Sequence, residues 1–270
     1  MTPPAPTIDA PASAPVPFVP VLIVGVCAGF LAGLFGVGGG ILIVPALVLV
    51  ARMDQRLAHG TSLAAVLPIS AASLATYSFN GHVDWAVALW LSIGAVGGAV
   101  IGTKLLHILP HRILAVLFSA LLLISAVRLF VATDVGDQPE MTLLVAMALV
   151  VIGVVTGVLA GLLGVGGGIV MVPAMILLFG LPPVVAKGTS AAVIIPTALM
   201  GTWRNRAKRN VDLRAAAIIG VAGIVTAALG SLVADIMSPT TSNVLFASLL
   251  VIVAVRMIVQ LVGERKSATG

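Results

Sequence analysis

The chain has 270 residues, 60% of them hydrophobic and 9% charged, and a mean hydropathy of +1.22. Soluble domains carry about 25% charged residues, so this composition excludes a surface that faces water. The net charge of +5 is compatible with nucleic-acid binding, but the basic residues sit between apolar segments, as topology-setting loops do.

Residues 1–19, "MTPPAPTIDAPASAPVPFV", have no basic region ahead of an apolar core, unlike a cleavable signal peptide. Their prolines predict a disordered tail. Five apolar segments follow, near 18–35, 39–51, 59–79, 84–107 and 111–131. After the acidic stretch "TDVGDQPEM" come five more, near 141–163, 167–180, 187–203, 212–235 and 241–262. Both faces of each segment are apolar, which excludes the alternating strands of an outer-membrane barrel. The fold class is therefore an all-α polytopic membrane protein. A lone cysteine, Cys27, within the first segment reads as a small packing residue and permits no disulfide within one chain.

One displacement, 128 residues, relates the two sets of segments. Ala32–Ala46 and Ala160–Ala174 agree at 12 of 15 positions without a gap. "HGTSLAAVLP" (His59–Pro68) lies over "KGTSAAVIIP" (Lys187–Pro196), and Val83-Asp84, Gly102 and Ala126-Val127-Arg128 recur at the same distance. The expected organisation is a tail (1–19), a first membrane repeat (20–133), a linker (134–140), a second repeat (141–263) and a cytoplasmic tail (264–270).

Lys and Arg concentrate on the cytoplasmic side of membrane proteins. "RNRAKRNVDLR" (Arg204–Arg214) is the strongest such signal, and the "ERK" of Glu264–Lys266 lies two segments later on the same side. The acidic linker belongs outside. These assignments agree only if each half crosses an odd number of times, so the halves are expected to be inverted-topology repeats. Five crossings and three crossings with a re-entrant hairpin both satisfy that condition.

Each half breaks its second segment with glycines, "GVGGGILIVPA" (Gly36–Ala46) and "GVGGGIVMVPA" (Gly164–Ala174). Eleven residues after the first break span roughly 16 Å of helix, against a hydrocarbon core of about 30 Å. A broken helix survives in lipid only where protein or a watery cavity satisfies its backbone. A Gly-interrupted pair at matching positions is therefore a pointer to a transport site. Gly38, Gly39, Gly40, Gly166, Gly167 and Gly168 let a ligand reach the backbone, and the helix N-termini behind them favour an anion. Helix packing is the plainer explanation, and it fits Gly29, Gly33, Gly94, Gly98 and Gly102 well.

The hydroxyls of Thr61, Ser62, Thr189 and Ser190 are expected at helix starts, as caps or as donors to an oxyanion. His59 and Lys187 precede them as accessory groups. Arg128 and Arg256 are matched charges inside apolar segments, functional candidates whose ends can also snorkel to headgroups. Asp84 and Asp212 read as helix-start residues. The histidines His82, His107 and His111 show no metal-ligand spacing, and no metal or other cofactor is expected.

The paired "GVGGG…P" and "GTS…P" motifs on two hydrophobic halves resemble the sulfite exporter TauE/SafE family, over nearly all of the chain after residue 20. The resemblance implies a bacterial inner-membrane secondary transporter of small sulfur-containing anions such as sulfite, a sulfonate or sulfoacetate. It also implies a proton as the coupling ion and no ATPase partner. His59 against Lys187 marks a chemical difference between the halves. An anion channel, or a carrier for another small oxyanion or carboxylate, is the alternative. An intramembrane enzyme is disfavoured, since the chain holds no HExxH, G-x-S-x-G or P-loop.

Overall fold

A computed structural model describes residues 17–105, 111–131, 140–164 and 166–267. Residues 132–139, with most of the acidic stretch, His107 and the first 16 residues lie outside the described residues. Ten helices occupy the described chain, at α1 Phe18–Phe35, α2 Gly40–Val50, α3 Gln55–Phe79, α4 Trp85–Leu105 and α5 His111–Val131. The second half repeats them as α6 Leu143–Leu163, α7 Gly168–Phe179, α8 Pro183–Ala207, α9 Leu213–Asp235 and α10 Pro239–Ser267. Seven of these are long and apolar enough to cross a membrane, while α2 and α7 are shorter apolar helices. The protein is an all-helical, multi-pass membrane protein.

The packing follows the 128-residue displacement. Helix α1 lies along α9 and α6 along α4; α3 packs on α9 and α8 on α4. The tightest pairs are built on small residues four apart, which let two backbones approach. A Cβ at Gly25, Gly29 or Gly33 of α1 would collide with the backbone of Ile219, Gly223 or Ala227 of α9. Gly153, Gly157 and Gly161 of α6 meet Leu91, Ala95 and Ala99 of α4 in the same manner. Both series ascend together, so each of these pairs is parallel.

Helix directions across the centre can be read from contacts too. Gly60 meets Asn205, Leu63 meets Gly201, and Tyr77 meets Gly188, so α3 and α8 run antiparallel. The start of α3 and the ends of α4 and α8 share one end of the molecule, where Arg204 Nε donates to Thr103 Oγ1 (2.9 Å). Arg52, Arg56, Lys104, Arg206, Lys208, Arg209 and Arg214 belong to that same end. At the other end, Asn80 Nδ2 donates to Asp235 Oδ2 (3.0 Å) and His82 Nδ1 lies 2.8 Å from Asp235 Oδ1.

Asp84 and Asp212 do what helix-start aspartates do. Asp84 Oδ1 accepts from Ala86 and Val87 amides, and Asp212 Oδ1 accepts from Arg214 and Ala215 amides. Cys27 differs from its sequence reading: it lies exposed on α1, because the opposite face of that helix, at Gly25 and Gly29, is the one pressed onto α9.

Candidate functional site

Helix α1 ends at Gly36, whose left-handed backbone (φ +68°) returns its N–H to Ala32 O at 2.8 Å. Gly38 and Gly39 follow at φ +76° and +75° before α2 begins. The second half repeats the path at Gly164, Gly166 and Gly167, with φ of +68°, +85° and +82°. An L-residue with a Cβ costs roughly 1–2 kcal/mol in this region, so three such positions per turn demand glycine. Neither α2 nor α7 has a side-chain cap on its first amides. Each helix therefore presents N–H groups and a positive dipole end to its turn.

The two turns meet. A Cβ on Gly168 would stand 2.6 Å from Gly36 O and 2.7 Å from Val37 Cα. Gly38 and Gly166 both rest on the same two side chains, Val66 of α3 and Ile194 of α8. All the described glycines of both turns are buried. The turns thus occupy the interior, between the antiparallel α3 and α8.

The GTS triplets lie inside helices rather than at helix starts, which corrects the expectation for Thr61, Ser62, Thr189 and Ser190. Asp54 caps α3 by accepting from Arg56 N, and Pro183 opens α8 where its missing N–H is harmless. Both helices therefore begin before the triplet, whose amides are already in the helix. The hydroxyls reach the other half instead. Thr61 Oγ1 accepts from Asp212 N (2.9 Å) and Thr189 Oγ1 accepts from Asp84 N (3.0 Å). Ser62 Oγ donates to Gly164 O at 2.9 Å. Its twin, Ser190 Oγ, is fully buried and has no hydrogen-bond partner among the described residues.

His59 and Lys187 are buried, with their backbones against the glycine turn of the opposite half: Gly164 on His59 and Gly36 on Lys187. The Lys187 ammonium donates to Ser242 Oγ at 2.7 Å and lies 5.7 Å from the centroid of the Phe35 ring. Phe35 in turn stacks on Phe246 at 5.5 Å. Arg256 is exposed on α10, away from this cluster, and the Arg128 side chain lies outside the described residues.

Sequence reasoning missed Val66, Ile194, Tyr77, Phe35 and Ser242. Tyr77, fully buried, donates its hydroxyl to Gly33 O (2.5 Å). Val66 and Ile194 were findable, since each stands seven residues, two helical turns, beyond His59 or Lys187 on the same face. Ser242 carried a signal of another kind, being a polar residue where the first half has Leu114.

Comparison with known proteins gives one consistent answer. The family described as "Sulfite exporter TauE/SafE" matches residues 4–129 and 148–269. "Probable membrane transporter protein YunE" of Bacillus subtilis is 30% identical over 68% of this chain and 77% of its own length. A "Probable membrane transporter protein" of Xylella fastidiosa is 29% identical over 87% of this chain and 92% of its own. "Probable membrane transporter protein MJ0441" of Methanocaldococcus jannaschii is 26% identical, covering 88% and 94%. No solved structure matches the chain.

Proposed function

We propose, from the premise that this chain belongs to the sulfite exporter TauE/SafE family, that it is a secondary transporter of small sulfur-containing anions. The substrate class is a sulfite, sulfonate or sulfoacetate type of oxyanion. It binds where the twin glycine turns converge, at Gly38, Gly39, Gly40, Gly166, Gly167 and Gly168, with the hydroxyls of Thr61, Ser62, Thr189 and Ser190 around it. A proton gradient drives the cycle. The two halves are inverted repeats that exchange access by rocking one against the other. The antiparallel course of α3 and α8 supports that inversion. The collection of Arg and Lys at one end supports a cytoplasmic C-terminus in a bacterial inner membrane.

The observation that carries this reading is the meeting, inside the protein, of two glycine turns that each lead into an uncapped helix. Pyramidal and tetrahedral oxyanions need several converging donors, and amides aimed from two sides supply them without a full opposing charge. Anions held by dipoles can leave again, as a carrier requires.

Flux of radiolabelled sulfite into proteoliposomes tests the reading. Gly39→Leu and Gly167→Leu are expected to abolish uptake while the protein still reaches the membrane. Gly97→Leu serves as the control, because a Cβ there meets nothing within 4 Å. Normal flux from both turn variants contradicts the proposal. Discrete single-channel currents in place of slow saturable flux transfer the site to the channel alternative.

A further inference from the structure

The two halves share a backbone at the centre but not its chemistry. Ser62 ties itself to the opposite turn by donating to Gly164 O, whereas Ser190 at the matching position has no partner among the described residues. Its oxygen is 2.9 Å from where a Cβ on Gly168 would stand, at the first residue of α7. A buried, unpartnered hydroxyl thus faces an uncapped helix N-terminus.

One turn earlier on α8, Lys187 adds a positive charge. Two of its three N–H donors make no hydrogen bond to the described residues, and no carboxylate among them pairs with it. Tyr77 of α3 is engaged with Gly33, and His82 of the α3–α4 turn with Asp235 of α9. The supports of this ammonium are Phe35 and Ser242. At the positions that the 128-residue displacement matches to Lys187, Phe35 and Ser242 stand His59, Leu163 and Leu114. Cation, aromatic face and hydroxyl are replaced together, so the departure from the repeat is concerted at one place.

The short helices differ in the same sense. Along α7, every residue from Gly168 to Pro173 is buried, with Met175, Ile176 and Phe179. On α2 only Gly40, Ile43 and Leu47 are. An N-terminus enclosed by protein acts in a lower dielectric, where dipole and charge attract an anion more strongly.

We propose that the chain holds one anion at a time, a singly charged oxyanion seated at the N-terminus of α7 between Ser190 and the Lys187 ammonium. The matching place at α2 is a closed copy that binds none. The seat rests on the transport reading above and narrows it from two equivalent turns to one. A single ammonium balances a single negative charge, and a dianion leaves an uncompensated charge in the interior.

The experiment is calorimetric titration of the full chain in lipid nanodiscs with methanesulfonate (a monoanion), sulfate (a dianion) and acetate. Wild type is expected to bind one methanesulfonate per chain and to bind sulfate at least about tenfold more weakly. Lys187→Met, which keeps the linear stem, and Ser190→Ala are each expected to weaken methanesulfonate roughly tenfold or more, the scale of a hydrogen bond to a charged group. Ser62→Ala and His59→Gln are expected to weaken it less than their matched partners Ser190→Ala and Lys187→Met do, and Gly97→Leu, outside the site, to stay within about threefold of wild type. Unchanged melting of the ligand-free variants separates lost binding from lost fold. Two equivalents per chain, or equal weakening by both members of a matched pair, overturns the one-sided seat and leaves the transport reading standing. Tighter acetate than methanesulfonate binding with the same one-sided losses keeps the seat and overturns the sulfur class. A wild type that binds none of the three overturns both.

Discussion

Glycine has two different tasks in the outer helix pairs and in the central turns, and the contrast separates what holds this protein together from what gives it a site. Along α1–α9 and α4–α6 the glycines are ordinary helical residues whose missing Cβ lets two backbones touch. At Gly36–Gly39 and Gly164–Gly167 they bend the chain through left-handed conformations and leave helix N-termini bare. In the first place a side chain is excluded by a neighbour. In the second it is excluded by the backbone itself, and what is gained is amides without a side-chain cap.

That difference predicts different failures. The largest effect belongs to the outer pairs. Gly33→Leu drives a side chain into the backbone of Ala227 and Ser231, with no flexible neighbour to yield. Overpacking of this kind costs upwards of about 3 kcal/mol, so loss of the folded protein from detergent extracts is expected by size-exclusion chromatography. Gly166→Ala meets only side-chain atoms, the nearest 3.3 Å away, but sits at φ +85°. A penalty of about 1–2 kcal/mol is expected, with protein still in the membrane and sulfite flux lost. An inert Gly33→Leu or a fully active Gly166→Ala breaks the contrast. Tyr77→Phe removes the donor to Gly33 O and leaves that carbonyl buried, for a loss of about 1–3 kcal/mol readable by thermal melting. Smallest is Asp212→Ala, which removes the α9 cap and lowers stability by about 1 kcal/mol with flux retained.

Much of the fold was legible because hydrophobic period and repeat point to the same elements. All ten apolar segments became helices, with the breaks at the glycines. Asp84 and Asp212 were readable as caps, since their chemistry acts within three residues. The GTS triplets were misplaced for the converse reason. Their helices start on Asp54 and Pro183, and their hydroxyls act on residues over a hundred positions away, at Asp84, Gly164 and Asp212. No local pattern encodes that pairing. Cys27 was misread because a helix apolar on every side does not declare which face meets protein and which meets lipid. The Lys187 surroundings lay half in view: the repeat exposes Lys187 against His59, but only packing brings Phe35 and Ser242 to its ammonium.

The most direct test of the central claim is the position of the anion itself. In crystals of the protein soaked with selenite, a sulfite analogue, anomalous scattering at the selenium edge locates the oxyanion without reference to sulfur already in the chain. One selenium peak is expected inside the molecule, beside the first amides of α7, where the two glycine turns meet. Selenium bound only at the charged rim near Arg204–Arg214, with the glycine turns vacant at saturating selenite, contradicts it.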